Sequence, residues 1–366
     1  MAGSTFGTLF RITTWGETHG KGVGVVVDGC PAGLPLCEED IQKYLNRRKP
    51  GQSRYTTKRN EGDEVEILSG IFEGKTTGTP ISMVVFNKDQ RPRDYTNIMD
   101  IYRPGHADYT FDSKYGFRDY RGGGRSSGRE TIARVAGGAI AAKILKEMGI
   151  EVFAYTEAIG PHSIDKEHWN PSVRDENPFY MPDAEAAEKA AEFVEQRMRE
   201  KDSCGGIVAC RVNGMPAGVG EPVFDKLDAK LGQAILSIGA VKGVEIGDGF
   251  AATRSTGSKN NDAFCIKNGK VDKETNHAGG ILGGMSDGTE IFLRAAFKPT
   301  ASIASTQRTV DIHGEEREIS IHGRHDPVIV PRAVVVVESM TAITLLDELL
   351  MNMSSRLDKI KEFYQR

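Results

Sequence analysis

The chain has 366 residues, of which 39% are hydrophobic and 27% charged, and its formal net charge is −4. This composition is typical of a globular protein, and the acidic balance argues against a general nucleic-acid-binding protein. No apolar run in the sequence approaches the ~18 residues that a membrane-spanning helix needs, which excludes that class.

Six segments have the β-branched, apolar character of strands, and four have the character of helices. The predicted strands are Gly22–Val27, Val65–Phe72, Ile81–Phe86, Gly206–Val212, Thr289–Phe297 and Ala333–Glu338. The predicted helices are Glu39–Arg47, Glu130–Glu147, Lys226–Leu236 and Met340–Met351. This mixture predicts an α+β or layered α/β fold.

An internal echo relates two parts of the chain. The stretch GVVVDGCPAGL from Gly24 resembles ACRVNGMPAGV from Ala209, and each precedes a helix-like segment. The echo favours a single large domain of two related halves, about 8–150 and 203–350, although a recurrent turn would give the same letters. Between the halves, residues 161–202 are interpreted as an insertion: a surface excursion to residue 182, then a helix capped by Asp183.

Positive charge is concentrated despite the negative total. Residues 42–60 hold seven Lys or Arg and no acid. A second series is nearly all arginine: Arg91, Arg93, Arg103, Arg118, Arg121, Arg125, Arg129 and Arg134. Solvated surface charge is the plain interpretation, but arginine among glycine and serine favours a small ligand with several negative charges. RNA binding would also need interleaved aromatic residues.

The stretch from Gly123 to Glu130 approximates the phosphate-binding loop G-x-x-x-x-G-K-[ST]. Arg129 stands in place of the Lys, and Glu130 in place of the Mg²⁺-binding hydroxyl. A loop of this kind at a helix start still binds anions through its N–H groups. An ATP-dependent phosphotransferase is therefore kept as an alternative function, and an RNA-binding module that uses residues 42–60 as a third.

Three motifs present histidines in loops: TTWGETHG with His19, RPGHADYT with His106, and HGRHDP with His322 and His325. Histidine exchanges protons near pH 7, and catalytic groups are often presented on loops. Each histidine taken singly is better explained by a structural role. No metal site is predicted, because the last motif lacks a further ligand at suitable spacing.

Eight blocks together resemble the chorismate synthase family along essentially the whole chain. They begin with FGTLFRITTWGETHG, the RRKPGQSRYTTKRNEGDEVEILSG region, RPGHADYT and YRGGGRSSGRETIARVAGGA. They continue with SIGAVKGVEIGDGF, NHAGGILGGMSDG, KPTASI and GRHDP. The resemblance implies a layered β-α-β sandwich with helices packed between antiparallel sheets. It also implies conversion of 5-enolpyruvylshikimate 3-phosphate to chorismate by 1,4-anti elimination of phosphate, with reduced FMN.

The resemblance implies roles residue by residue. It makes His19 the acid beside the leaving phosphate, His106 the residue facing the flavin, and Asp326 the group that helps to remove the ring proton. The implied substrate ligands are Arg48, Arg54, Arg129 and Arg134. The implied flavin ligands are Arg125, Ser126, Ser127, Gly239, Ala240, Gly283, Lys298, Pro299, Thr300, Ala301, Ser302 and Arg324. Three positions depart from the family pattern: Thr18 replaces Ser, Gly128 replaces Ala, and Gly239 stands where Asn or Pro is usual.

The resemblance further implies a homotetramer and NADPH as a direct or indirect reductant. It leaves open whether an external flavin reductase supplies the reduced cofactor. Five cysteines without C-x-x-C spacing favour buried thiols in a reducing compartment. The N-terminal segment lacks a basic region followed by an apolar core. A cytoplasmic location is therefore expected, without nucleic-acid or membrane partners.

Overall fold

The structure is a computed structural model, and it describes residues 3–57, 61–88, 98–321 and 325–365. The strands are β1 Thr5–Phe6, β2 Arg11–Gly16, β3 Gly22–Asp28, β4 Val65–Ile67, β5 Ile71–Phe72, β6 Lys75–Thr76, β7 Ile81–Phe86, β8 Glu151–Ile159, β9 His162–Ser163, β10 Gly206–Asn213, β11 Val241–Ile246, β12 Phe264–Lys267, β13 Lys270–Lys273, β14 Ile281–Leu282, β15 Met285–Ser286, β16 Ile291–Phe297, β17 Gln307–Val310 and β18 Glu316–Ile319. The helices are α1 Glu38–Arg48, α2 Asp108–Tyr115, α3 Thr131–Glu147, α4 Ala184–Arg199, α5 Leu227–Leu236, α6 Gly257–Asn260, α7 Val330–Asn352 and α8 Leu357–Tyr364.

Two five-stranded antiparallel sheets form the outer layers. The first has the order β1-β2-β3-β7-β4 and the second the order β11-β16-β10-β8-β9. Strand β2 alternates exposed and buried residues, as expected for a strand with one face on the core. Helix α3 packs on β2, β3 and β7 of the first sheet, and α7 packs on β8 and β10 of the second. The predicted α+β sandwich, with helices between antiparallel sheets, is confirmed.

Helices α3 and α7 pack closely against each other at the centre of the molecule. A Cβ built on Gly138 of α3 would lie 2.2 Å from the Cβ of Ser339 on α7. Only a glycine therefore allows the two helices to approach this closely. Helix α7 is buried continuously from Ala333 to Leu349, which places the middle of this helix in the core.

Two of the predicted strands are wrong in part or whole. The run Ala333–Glu338 is helical, within α7, because it is buried on all sides and periodicity cannot distinguish such a helix from a buried strand. The predicted strand Val65–Phe72 is interrupted at Gly70, whose φ of +83° turns the chain so that β5 pairs with β6 instead. The other strands and the four helices lie within a few residues of the prediction, except that α7 begins ten residues earlier.

The echo between the halves corresponds to matching hydrogen bonds. In the first half the Thr76 hydroxyl donates to the Pro31 carbonyl at 2.6 Å and accepts from the Leu34 N–H at 3.0 Å. In the second half the Ser286 hydroxyl makes the same two bonds, to the Pro216 carbonyl and from the Val219 N–H, at the same distances. The half boundaries at 8–150 and 203–350 stay a prediction.

The segment between the halves is less exposed than the sequence predicts. Phe179 and Met181 are fully buried, so residues 161–182 are not simply a surface excursion. The helix that follows is α4, and the Asp183 side chain accepts a hydrogen bond from the Ala186 N–H, as predicted. In the described part of the chain, no helix is long and apolar enough to cross a membrane.

Candidate active site

A cavity of about 580 Å³ lies where the two central helices begin. The start of α3 and the start of α7 both contribute to its wall, together with the end of α1 and several loops. The contributing segments are Thr18, Arg48, Pro50, Thr57, Arg103, 105–107, 122–123, 125–131, Arg134, Ser237, 239–240, 298–302, 325–326, Ile329 and Arg332.

The cavity lining is strongly cationic. Among the described residues, seven Arg or Lys side chains line it against two carboxylates. The cations are Arg48, Arg103, Arg125, Arg129, Arg134, Lys298 and Arg332, and the carboxylates are Glu130 and Asp326. Because the whole chain carries −4, this is a local concentration of positive charge suited to a ligand with several negative charges.

Most of the residues implied by the resemblance are brought together here. Those that line the cavity are His106, Asp326, Arg48, Arg129, Arg134, Arg125, Ser126, Ser127, Gly239, Ala240, Lys298, Pro299, Thr300, Ala301 and Ser302. His19, Arg54 and Gly283 are not in the lining. Arg324 and His322 lie outside the described residues.

The three residues outside the lining have different surroundings. Arg54 is exposed over 72% of its side chain and donates to Glu195 of α4 and to the Tyr55 hydroxyl. Gly283 occupies the turn between β14 and β15, with φ +61°. The roles implied for these residues stay predictions, and the present contacts of Arg54 do not favour substrate binding.

His19 adjoins Thr18, which does line the cavity. His19 is also close enough to Asp119, a residue of a second and smaller cavity, to influence it electrostatically. A hydrogen bond from Arg121 lowers the pKa of Asp119, and the charge of His19 contributes to the same shift. The role implied for His19 as an acid beside phosphate also stays a prediction.

The glycine-rich loop reaches α3 through two short 3₁₀ turns, 124–126 and 128–130. The Ser127 hydroxyl accepts a hydrogen bond from the Arg129 N–H at 3.3 Å and so begins the second turn. Arg125 donates to the carbonyls of Thr14 and Gly16 on β2, which fixes the loop to the first sheet. This geometry places serine hydroxyls and a helix start at the cavity wall.

Two buried arginines share one buried carboxylate beneath this loop. Arg48 Nη2 lies 2.6 Å from Asp63, and Arg129 Nη1 lies 3.0 Å from the other oxygen of the same carboxylate. Burial would raise the pKa of Asp63, but Arg48 and Arg129 outweigh it and hold that pKa below its usual value. Burial lowers the pKa of Arg48 to about 10, so the guanidinium is still charged at neutral pH.

Asp326 is held by two donors at the start of α7. Its Oδ1 accepts from the Thr57 N–H at 2.8 Å, and its Oδ2 accepts from Arg332 Nη1 at 2.5 Å. The Arg332 Nε–H donates to the carbonyl of Arg48 at 2.9 Å. Arg332 therefore fixes Asp326 and the end of α1 relative to each other.

His106 and His325 lie close enough to influence each other electrostatically. The His106 Nδ1 lies 3.1 Å from Asp108 Oδ1. Burial lowers the pKa of His325, and the charges of Arg103 and His106 lower it further, so this imidazole is neutral at pH 7. His106 also borders a second cavity of about 280 Å³, which Asp108, Arg118 and Asp119 help to line.

Sequence reasoning gave no role to Asp63, Arg103, Asp108, His325 or Arg332. Arg103 and Asp108 lie within RPGHADYT and His325 lies within HGRHDP, so these positions were a usable signal. Asp63 lies within the RRKPGQSRYTTKRNEGDEVEILSG block, but the sequence does not indicate its pairing, because its partners lie 15 and 66 residues away.

Comparison with known proteins agrees with the sequence resemblance. The family model for chorismate synthase matches residues 10–350. The chain is 64% identical over 366 residues to the chorismate synthase of Lachnospira eligens, with both chains covered completely. The chain belongs to the chorismate synthase family.

More distant chorismate synthases agree. The enzyme named so in Roseiflexus castenholzii is 55% identical over 360 residues, which cover 98% of this chain and all of that one. A crystal structure of chorismate synthase matches with a TM-score of 0.75 at 32% identity, over 98% of this chain and 97% of that one. The membership implied by the eight sequence blocks is therefore confirmed, and no comparison favours a phosphotransferase.

Two arginines of the basic segment that suggested RNA binding are paired with carboxylates inside the protein. Arg47 donates both Nη groups to Glu338 of α7, and Arg48 pairs with Asp63. Side chains held in this way are not available to follow a phosphate backbone. Arg47 and Arg48 thus belong to the core and the cavity wall, whereas Arg54 of the same segment is exposed and pairs with Glu195.

Proposed function

We propose that this chain is a chorismate synthase that acts in the cavity at the starts of α3 and α7. It converts 5-enolpyruvylshikimate 3-phosphate to chorismate and phosphate by a 1,4-anti elimination, the last common step toward the aromatic amino acids. The observation that carries the proposal is the lining of seven cations against two carboxylates in a chain of net charge −4. The substrate bears two carboxylates and a phosphate, and such a lining neutralises all three.

Arg48, Arg129 and Arg134 are proposed to bind the substrate anions. Arg134 keeps its guanidinium at the cavity wall through Glu130 and the Ser237 hydroxyl, at 2.8 and 2.6 Å. Among the described residues, the buried Arg48 Nε has no hydrogen-bond partner. A buried donor without a partner is costly, and an anion in the cavity would satisfy it.

Another set of lining residues fits a flavin mononucleotide. Arg125, Ser126 and Ser127 offer a cation and two hydroxyls, and residues 298–302 offer Lys298 with further hydroxyl groups. The buried Thr300 hydroxyl oxygen is without a partner among the described residues. A Cβ on Gly239 would meet nothing within 4 Å, so this departure from the family pattern leaves space at the wall.

Reduced FMN, when bound, supplies electron density transiently to the substrate that is losing phosphate, without net redox change. The residues of this chain have other tasks. The arginines stabilise the charge of the departing phosphate. Asp326 is the carboxylate available to accept the ring proton, and Thr57 and Arg332 hold it in place. His106 exchanges a proton at the boundary of the cavity.

Three further expectations belong to the proposal. A homotetramer is supported by exposed apolar side chains on the β12–β13 hairpin: Phe264, Ile266 and Val271 are each at least 66% exposed. Reductant reaches the flavin from NADPH, directly or through an external reductase. The cytoplasm is the proposed compartment, in keeping with free thiols at all five cysteines.

Calorimetric titration separates this proposal from the phosphotransferase alternative. FMN is expected to bind in the presence of the substrate, and ATP with Mg²⁺ is expected not to bind. Replacing Arg125 and Ser126 together by Ala is expected to abolish FMN binding, since both groups line the cavity. ATP binding without FMN binding, or normal FMN affinity in the double variant, would contradict the assignment.

A further inference from the structure

Asp108 is the carboxylate that Arg103 and His106 both contact in one hydrogen-bond network. It is the first residue of α2 and only 4% exposed. Arg103 approaches it as a planar fork: Nε donates to Oδ2 at 2.7 Å and Nη2 donates to Oδ1 at 2.6 Å. The Arg103 N–H adds a third bond to Oδ2 at 3.0 Å. This carboxylate is therefore fixed in orientation, and its Oδ1 also lies 3.1 Å from the Nδ1 of His106.

Counting hydrogens favours one direction for the hydrogen bond between His106 and its neighbours. The Nδ1 of His106 lies 3.1 Å from Arg103 Nη2 and 3.1 Å from Asp108 Oδ1. Arg103 Nη2 has two hydrogens. Two oxygens already accept them, Asp108 Oδ1 at 2.6 Å and the Gly122 carbonyl at 3.1 Å. A bond from Nη2 to Nδ1 would have to share one of these hydrogens, whereas a proton on Nδ1 has the charged Asp108 Oδ1 as its acceptor, which favours Nδ1 as the donor.

We propose that Asp108 is a positioning residue that holds His106 with a proton on Nδ1, so that Nε2 is the nitrogen that exchanges protons with a ligand. The alternative tautomer would place a lone pair on Nδ1 against the carboxylate. Because a ring nitrogen's tautomer is set by the bond that the other nitrogen makes, the carboxylate determines the chemistry at Nε2. As a statement about the reaction, this inference rests on the proposed function.

The charges around the network agree with a permanently ionised acceptor. Burial alone would raise the pKa of Asp108, but hydrogen bonds from Arg103 and His106 hold it far below its usual value. Arg118 adds a further cation 3.9 Å from Oδ1. His325, which is near enough to His106 to be influenced by its charge, is neutral at pH 7 because burial lowers its pKa. Asp108 is thus the negative group that directly contacts this histidine.

The tautomer can be measured in the unmodified chain, without flavin or substrate. Long-range ¹H–¹⁵N correlation spectra distinguish protonated from unprotonated imidazole nitrogens, and His106→Gln assigns the signal among the eight histidines. In the neutral ring, Nδ1 is expected to carry the proton. A neutral ring protonated on Nε2 would overturn the proposal, whatever the activity of the chain.

Asp108→Asn tests the consequence for turnover. The amide removes the charge and can turn its NH₂ toward Nδ1, so the Nε2–H tautomer should become populated. Turnover is expected to fall about tenfold or more, in the range of general acid–base effects, with KM changed less than about twofold. Asp28→Asn is the matched control, because it removes a carboxylate from an exposed arginine pair with Arg11. An unchanged tautomer and unchanged kcat in Asp108→Asn would contradict the positioning role.

Discussion

At the scale of single residues, the cavity is built from arginines that are each fixed by an internal partner. Arg48 and Arg129 share Asp63, Arg103 is paired with Asp108, and Arg134 is paired with Glu130. Five donors on a planar group allow an arginine to keep such a partner and still bind a ligand. The site is therefore preorganised for anions before any ligand enters.

Replacing Asp326 by Asn should separate proton transfer from binding. The amide keeps the shape of the side chain and an acceptor for the Thr57 N–H or Arg332, but it cannot accept a proton. We expect kcat to fall by about 10²–10⁴-fold. Dissociation constants for FMN and substrate, measured by calorimetry, should stay within about threefold.

The control for this prediction is Asp28→Asn, in which the same atoms change at an exposed pair. Its kcat should equal that of the unmodified chain. Full turnover in Asp326→Asn would show that Asp326 does not accept the ring proton.

At the scale of elements, the close approach of α3 and α7 determines the site, since both helices begin at the cavity. Gly138→Ala places a methyl group 2.2 Å from the Cβ of Ser339, and the helices must separate. Overpacking of this kind lowers the free energy of unfolding by about 1–3 kcal/mol. Denaturant unfolding measures the loss, and weaker substrate binding should accompany it.

Gly232→Ala is the matched control within helix α5. A Cβ there meets nothing within 4 Å, and alanine favours a helix by about 1 kcal/mol. This variant should be as stable as the unmodified chain or more so. Equal stability of both variants would show that α3 and α7 can separate without cost.

Helix α7 also carries a buried carboxyl that makes stability depend on pH. Burial raises the pKa of Glu348 to about 7, with Lys230 opposing the shift and Asp347 adding to it. The native state therefore binds a proton that the unfolded state releases near pH 4.5, and the free energy of unfolding falls as pH rises from about 4.5 to 7.

Glu348→Gln removes this ionisation. The variant should be more stable than the unmodified chain at pH 8, by about 1–2 kcal/mol, and nearly equal at pH 4.5. Thermal unfolding at the two pH values measures the difference. A variant that is equally stable, or less stable, at pH 8 would show that the native protein bears no ionisation cost at this position.

The same elements explain how much the sequence could predict. Local signals were sufficient for α1, whose exposed face is polar, and the family blocks identified most of the cavity wall. They failed for Ala333–Glu338, because a helix buried on every side has no polar face to reveal its period.

Contacts between distant residues were the other limit. Asp63 has a positive φ and lies in a loop, and only the folded chain brings it beneath Arg48 and Arg129. The side-chain direction of Arg54 likewise depends on α4, which supplies Glu195. Motif matching names residue types in order, but it does not state which way each side chain faces.

At the scale of the whole molecule, two related patterns meet at one cavity. The turn that Thr76 stabilises in the first half has a counterpart at Ser286 in the second, with the same pair of hydrogen bonds. Helices α3 and α7 come later in the chain than Thr76 and Ser286 respectively, and their first residues contribute to the cavity wall. The near match of Gly123–Glu130 to a nucleotide loop thus reflects one of two helix starts at the wall of the cationic cavity.

The central claim is that this chain eliminates phosphate from 5-enolpyruvylshikimate 3-phosphate. An anaerobic assay with chemically reduced FMN and the purified chain tests it directly, by following chorismate absorbance and inorganic phosphate together. We predict equal amounts of both products, formed only when reduced FMN is present and without its net oxidation. Absence of chorismate under these conditions, from a chain that is folded and binds FMN, would contradict the account.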